Sequence, residues 1–71
     1  MDPNAALKRF RELMGAAGTA YREARQAEEE GVSCAKEYER FDDLSAEAAQ
    51  TMQALDEWIT GGGFLPDEWR K

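Results

Sequence analysis

Apolar and small residues recur at steps of three and four along two stretches of this chain, and this spacing constrains the fold more than any other feature of the sequence. The first stretch has such residues at Leu7, Phe10, Met14, Ala17, Tyr21 and Ala24. The second has them at Cys34, Tyr38, Phe41, Ser45, Ala48, Met52, Leu55 and Ile59. Steps of three and four place residues on one face of an α-helix. We therefore predict an all-α protein with two helices, over about residues 3–30 and 33–60.

Residues typical of helix ends stand at the limits of both stretches. Asp2 can cap the first helix, and the proline that follows it suits the first helical position because that position needs no backbone N–H. Gly31 can adopt the left-handed conformation that ends a helix, and Ser33 can cap the next one. A connection this short predicts an antiparallel two-helix hairpin that forms a single domain over residues 1–71.

Each stretch contains residues that could interrupt its helix. Gly15 and Gly18 each destabilise a helix interior by about 1 kcal/mol relative to alanine, so a first helix could end at Gly15. Alternatively, the helix continues and these small residues let a neighbouring helix approach closely. Ser45 is the polar residue of the second stretch and could cap a separate helix that begins at Ala46. We expect both helices to be continuous, because the spacing is kept across all these positions.

A hairpin of two helices leaves part of the predicted apolar surface without a partner. The first helix has a further row at seven-residue spacing, formed by Ala6, Leu13, Ala20 and Ala27. Leu44 and Trp58 lie on the flank of the second helix. Such residues need a second surface to pack against. The two candidates are a second copy, which would form a four-helix bundle as a homodimer, and the C-terminal tail of the same chain.

The C-terminal tail is rich in apolar residues. Residues 58–69 read WITGGGFLPDEW, and Gly61 is placed to end the second helix. The segment LPDEW is typical of a single helical turn. We expect the tail to fold back as a clasp that buries Phe64, Leu65 and Trp69, although the same side chains could instead form a strip that docks on a partner. The residues that a clasp would cover are Leu7, Phe10, Leu55 and Trp58.

The composition excludes several classes of site. The chain has 71 residues, one cysteine (Cys34) and no histidine, so it can form neither an internal disulfide nor a zinc site of the usual kind. Its formal net charge of −6 argues against direct binding to nucleic-acid phosphates. The sequence has neither the apolar run of roughly 20 residues that spans a membrane nor the start of a signal peptide. We therefore expect a cytoplasmic protein. Its carboxylates lie mostly off the apolar stripes, so we expect neither an enzymatic activity nor a cofactor.

Both ends of the chain resemble the ends of a known group of proteins. MDPNAALKRFREL at the start and ALDEWITGGGFLPDEW at the finish resemble a group of short uncharacterised proteins of actinobacteria and their phages. That group opens with Asp-Pro-Asn and ends with Leu-Asp-Glu-Trp, Gly-Gly-Phe-Leu-Pro and a final tryptophan. Residues 14–48 lie outside the resemblance. It implies a small soluble helical protein of actinobacterial or phage origin and assigns no functional residue.

Two functions from different classes fit these features. We favour a protein-interaction module that binds a protein partner through an apolar helical face and the tail, because aromatic side chains carry much of the energy of protein interfaces. The candidate contact residues are Leu44, Trp58, Phe64, Leu65 and Trp69. The alternative is an acidic protein that imitates nucleic acid and occupies a DNA-binding protein. Glu39, Asp43 and Glu47 follow the steps of four that such a row of charges requires, but Thr51 ends the row.

Overall fold

The computed structural model describes residues 1–70, which form two long helices and a short tail. Helix α1 spans Pro3–Glu29, helix α2 spans Ala35–Thr60, and a 3₁₀ turn spans Asp67–Trp69. The two helices pack side by side, with Cα dimensions of 50 × 20 × 13 Å. Neither helix of residues 1–70 combines the length and the apolar character that a membrane crossing requires. The predicted all-α helical hairpin is confirmed, and self-association stays a prediction.

The ends of α1 form as predicted. The Asp2 carboxylate accepts hydrogen bonds from two backbone amides of the first turn, the nearer being that of Asn4 at 3.0 Å. At the other end Gly31 has a φ of +73°, and the amide of Val32 donates to the carbonyl of Ala27 at 2.9 Å. This left-handed closure satisfies carbonyl groups that would otherwise lack a partner at the helix end.

The start of α2 differs from the prediction by two residues, whereas its end agrees with the prediction. Ser33 does not cap this helix, which begins at Ala35 after Cys34 and has no side-chain cap hydrogen bond. The start is later than expected because residues 32–34 are used to reverse the chain after α1. At the far end α2 ends at Thr60 with Gly61 as its C-cap, as predicted, and the left-handed residue is Gly62, with a φ of +95°.

Neither helix is interrupted. Gly15 and Gly18 lie inside α1, and Ser45 lies inside α2, so the prediction of two continuous helices is confirmed. A Cβ built at Gly15 would meet no other group within 4 Å, and one at Gly18 would meet the end of the Arg22 side chain at 3.4 Å. The two glycines therefore face away from α2, and the close approach of the helices depends on alanines instead.

The core between the helices is narrow and built from small side chains. The buried apolar residues of the helices are Leu7, Leu13, Ala17, Ala20, Ala24, Ala48 and Leu55. Alanines at this interface allow a short distance between the helix axes. The ring centroids of Tyr21 and Phe41 lie 5.4 Å apart, and Arg9 pairs with Glu47 at 3.0 Å. From Arg9 to Tyr21 along α1, the contacted residue of α2 moves back from Glu47 to Phe41, as an antiparallel arrangement requires.

Two residues of the predicted α1 stripe lie outside this core. Met14 is 50% exposed and Tyr21 is 41% exposed, whereas Leu13 and Ala20 from the neighbouring row are buried. Because α1 packs against one helix only, its buried strip runs between the two predicted rows, and the outer edge of the first row contacts solvent. The α2 stripe was better predicted, since each of its positions is buried or half-buried.

Candidate interaction surfaces

Polar groups of the tail contact the first turns of α1. The backbone amide of Asp67 donates to Oδ1 of Asn4 at 2.7 Å, and Nδ2 of Asn4 donates to an Asp67 carboxylate oxygen at 3.3 Å. Glu68 forms an ion pair with Arg11. These contacts place the 3₁₀ turn beside the start of α1 and thereby bring the two ends of the chain together.

Trp58 links the end of α2 to the tail. Its indole N–H donates a hydrogen bond to the carbonyl oxygen of Phe64 at 2.9 Å. Gly63 lies so close to the indole that a Cβ at this position would overlap the ring. Pro66, further along the tail, is less than 2% exposed. The tail backbone is therefore fixed at two points, by Trp58 and by the first turn of α1.

The large apolar side chains of the tail are exposed to solvent. Phe64 is 75% exposed, Leu65 38% and Trp69 39%. The predicted clasp, which buries these three side chains, is therefore wrong in that respect, and Pro66 is the tail residue that is buried. The physical reason is that the tail contacts α1 and Trp58 through backbone and polar groups, which leaves its large side chains uncovered. We call Phe64, Leu65 and Trp69 the tail surface.

Of the other two predicted contact residues, Trp58 lies beside the tail and Leu44 lies apart from it. Trp58 is half-buried and supports the tail through its indole N–H. Leu44 is half-buried on α2, and the 14 residues from Leu44 to Trp58 correspond to about 21 Å along the helix. It lines a shallow depression with Lys36, Glu39, Arg40 and Asp43. Leu44 and the tail surface therefore cannot belong to one small patch.

A second apolar surface, which the sequence analysis missed, is a groove along one side of the hairpin. Its lining residues are Phe10, Met14, Ser45, Ala48, Ala49, Met52, Gln53 and Asp56. We call this surface the groove. A signal for it was present in the sequence, since Phe10, Met14 and Met52 belong to predicted stripes that are wider than one neighbouring helix can cover.

The groove and the ion pair between the two helices lie on different sides of the hairpin. Arg9 pairs with Glu47 across α1 and α2. Met14 follows Arg9 by five residues, which is a rotation of about 140° around α1. Met52 follows Glu47 by the same interval and is therefore rotated by the same angle around α2. One side of the hairpin is thus bridged by charges, and the other is apolar.

Basic groups lie beside the carboxylates of the predicted acidic row on α2. Glu47 is paired with Arg9, and Glu39 and Asp43 share their depression with two basic residues, Lys36 and Arg40. Within residues 1–70, no group of three or more His, Cys, Asp or Glu side chains is placed to hold a metal ion. The negative charge of this helix is therefore partly compensated where the predicted acidic row lies.

Aromatic and charged side chains pack together near the turn between the helices. Arg25 donates to the Tyr21 hydroxyl at 3.1 Å and lies 5.9 Å from the centroid of that ring. The hydrogen bond to Tyr21 raises the pKa of the Arg25 guanidinium. Partial burial, reinforced by the carboxylate of Glu28, raises the pKa of the Tyr38 phenol. Cys34 is a free, half-buried thiol at this end of the molecule.

No protein-family model, curated protein or solved structure matches this chain. The tail surface and the groove are thus the features from which a function can be inferred.

Proposed function

We propose that this chain is a small non-enzymatic protein-interaction module that binds a partner protein through its tail surface. The observation that carries the proposal is the exposure of Phe64, which exceeds that of every other large apolar side chain in residues 1–70. The backbone at Phe64 is nevertheless held in place by Trp58. An aromatic ring that stays in water contributes little to folding, whereas a partner that covers this ring would gain the free energy of its burial.

Burial of the tail surface against a partner would supply most of the binding energy. Each large apolar side chain that moves from water into an apolar pocket contributes about 1.5–3 kcal/mol. Tryptophan in particular is enriched among the residues that dominate protein interfaces, which favours Trp69 as an anchor. Because the tail backbone is already held by Trp58 and Asn4, little further conformational entropy is lost when the partner binds.

The net charge of the whole chain indicates the chemistry of the partner. Asp67 and Glu68 flank the apolar side chains, but Arg70 pairs with Asp67 at 2.7 Å and Arg11 pairs with Glu68, so the local charge at the tail is compensated. The whole chain nevertheless has a net charge of −6, so a partner with an apolar pocket and a basic surface would be attracted at long range. We therefore propose a basic protein rather than an acidic one.

The proposed cellular setting follows from the resemblance of both chain ends to short proteins of actinobacteria and their phages. It supports an origin in an actinobacterium or in one of its phages or mobile elements, with a cytoplasmic host protein as the partner. A single free thiol, Cys34, fits a reducing compartment. In this proposal Trp58 supports the tail, and Leu44 would contact the partner only if the interface extended along α2.

The alternative function, imitation of nucleic acid by α2, has weaker support. A mimic needs a continuous row of unpaired negative charges. Glu47 is paired with Arg9, and the depression that contains Glu39 and Asp43 also contains Lys36 and Arg40. The proposal of a protein partner for the tail surface is therefore preferred.

Affinity capture from an actinobacterial extract tests the proposal. The unaltered chain is compared with the double variant Phe64→Ala/Trp69→Ala, which removes two exposed rings without removing a buried group. We expect a protein that the unaltered chain retains and the double variant does not. With the purified partner, loss of both rings should raise the Kd by about 100-fold or more.

Val32→Ala provides the matched control for this experiment. Val32 is 58% exposed and lies at the opposite end of the hairpin, so its truncation removes exposed apolar surface away from the tail. The control should retain the same protein as the unaltered chain. Equal capture by all three chains, or no protein specifically retained by the unaltered chain, would contradict the proposal.

A further inference from the structure

The end of α2 is complete before the tail begins. The backbone amides of residues 61–63 donate to carbonyl oxygens of the last turn of α2 at 2.8–3.0 Å. Among residues 61–70, Pro66 is the one buried residue. Helix α1, by contrast, has buried residues from Leu7 to Ala24. The tail therefore shares little buried surface with the hairpin.

The tail is held at two separate places by groups that water can reach. The contact pairs are Asn4–Asp67 and Arg11–Glu68 on the side of α1, and Trp58–Phe64 on the side of α2. Exposed hydrogen bonds and ion pairs each contribute little, because water competes for the same groups. Segments with few buried contacts and exposed hydrogen bonds open at a lower free energy than the core of a protein.

Gly62 is placed to act as a hinge between α2 and the tail. Its φ of +95° lies in the region that glycine adopts without strain, and a Cβ built there would meet no other group within 4 Å. Rotation at this residue breaks the backbone hydrogen bond from Gly63 to Trp58 and leaves the one from Gly61 to Glu57 in place. The tail can therefore swing away while the end of α2 stays formed.

We propose that residues 63–70, which we call the strap, open and close on the hairpin as one unit about Gly62 while α1 and α2 remain folded. Trp58 holds the strap at Phe64, and Asn4 holds it three residues further on at Asp67. Pro66 lies between these two points and fixes its own φ, which stiffens the segment. Release at one point therefore weakens the contact at the other.

The strap would control the order of the tail surface. The backbone at Phe64 is fixed in the closed strap, so Asn4 near the other end of the chain affects a residue that it does not bond to. A partner that binds the closed form has an apparent affinity reduced in proportion to the closed fraction. This consequence for binding rests on the proposed function, whereas the opening of the strap requires no partner.

Hydrogen exchange measured by NMR on the full chain, without a partner, tests the proposal. The reporters of strap closure are the amide of Asp67, bonded to Asn4, and the indole N–H of Trp58, bonded to Phe64. The amide of Leu55, a buried residue of α2, reports the unfolding of the hairpin. We compare their protection, which is the ratio of the intrinsic to the measured exchange rate.

We expect similar protection at the two strap reporters, at least tenfold below that of Leu55. Urea at concentrations below the unfolding transition should reduce the protection of Leu55 and leave that of the strap reporters nearly unchanged. The reason is that opening of the strap exposes little surface, whereas unfolding of the hairpin exposes its core.

Asn4→Ala tests whether the strap moves as one unit. The substitution leaves the groups that form the hydrogen bond from Trp58 to Phe64 unaltered, yet we expect the protection of the Trp58 indole to fall about tenfold, because two hydrogen bonds to Asp67 are lost. Gln53→Ala is the matched control, since it removes an exposed side-chain hydrogen bond of α2, to Glu57 at 3.3 Å. The control should leave the protection of the indole unchanged.

Three results would overturn the proposal. Protection of the Trp58 indole that does not respond to Asn4→Ala would show that the two contacts open separately. Strap reporters as protected as Leu55, with the same dependence on urea, would show that the tail opens only when the hairpin unfolds. Reporters without measurable protection would show that the strap does not close. None of these results depends on partner capture, so the strap and the proposed function can fail separately.

Discussion

The indole N–H of Trp58 donates to the carbonyl oxygen of Phe64 at 2.9 Å, while the ring of Phe64 remains 75% exposed. One side chain thus holds the backbone of a residue whose own side chain is mostly uncovered within residues 1–70. The intervening glycines make this contact possible, since Gly62 has a φ of +95° and Gly63 lies against the indole. The position of the tail therefore depends on a small set of contacts that can be removed one at a time.

Gly63→Ala should displace the tail from Trp58. A Cβ at Gly63 would overlap the indole, so either the ring or the backbone has to move. We expect the hydrogen bond to Phe64 to be lost and the free energy of unfolding to fall by about 1–3 kcal/mol. The measurement is thermal unfolding by circular dichroism, together with the emission wavelength of Trp58 in a Trp69→Phe background.

Gly15→Ala is the matched control for that substitution. A Cβ at Gly15 meets no other group within 4 Å, and the residue lies in the interior of α1. We expect this variant to be more stable than the unaltered chain by up to about 1 kcal/mol, because alanine favours the helix. If both glycine variants shift stability in the same direction, the contact between Gly63 and Trp58 has been misjudged.

Asn4→Ala should destabilise the contact between the tail and α1 more than Asp67→Ala. Asn4 accepts from the backbone amide of Asp67 and donates to its carboxylate, so the first variant removes two hydrogen bonds and the second removes one of them. We expect losses of about 1–2 and 0.5–1 kcal/mol in chemical denaturation. In the double variant the losses should be less than additive, since the two residues act on one contact. Full additivity would indicate that this contact does not form.

Truncation after Gly62 should weaken the hairpin without unfolding it. Complete burial of the three large tail side chains would have contributed about 1.5–3 kcal/mol each, which is comparable to the entire stability of a small domain. Because those side chains are exposed, we expect the truncated chain to lose only about 1–3 kcal/mol, mostly from Pro66 and the contacts of Trp58. Circular dichroism should still show two helices. If the truncated chain were unfolded, the tail would have to be the clasp that the sequence predicts.

The raised pKa of Tyr38 predicts how stability changes at alkaline pH. The folded hairpin favours the neutral phenol, because partial burial and the carboxylate of Glu28 both disfavour the phenolate. The stability from this site is present below the ordinary tyrosine pKa of about 10 and is lost as pH rises through the higher pKa of the folded state. The ultraviolet difference between the unaltered chain and Tyr38→Phe should titrate above that ordinary value. Glu28→Gln should lower the midpoint, and an unchanged midpoint would exclude this role for Glu28.

The helices could be predicted from the sequence because their signals are local. The spacing of apolar residues, the Asp2 cap and Gly31 each act within a few residues, and all of them agree with one hairpin. The start of α2 was placed two residues early, because the closure of α1 takes up residues that resemble a cap for the next helix. The spacing of apolar residues does not show that the end of α1 and the start of α2 compete for the same residues.

The surfaces could be predicted only in part, because they depend on which face of each helix packs against the other helix or against the tail. Heptad spacing assigned Met14 to the seam, but the dominance of alanine in the core moved the helix contact toward Ala20 and left Met14 at the edge. In the tail, the sequence pointed to Phe64 and Trp69. The prediction that apolar side chains hold the tail against the hairpin was wrong, because polar and backbone groups form that contact. The Asn4–Asp67 hydrogen bonds join residues at opposite ends of the chain, and no local rule predicts such a pair.

In the folded protein the tail surface is accessible and hence available to a partner. Acrylamide quenching can test this accessibility when the unaltered chain is compared with Trp69→Phe, whose remaining emission comes from Trp58. The structure has Trp69 39% exposed and Trp58 half-buried with its N–H bonded. We expect Trp69 to be quenched clearly more readily than Trp58, whose indole should be protected. Equal protection of both tryptophans in the folded chain would contradict the account and identify the tail as a clasp.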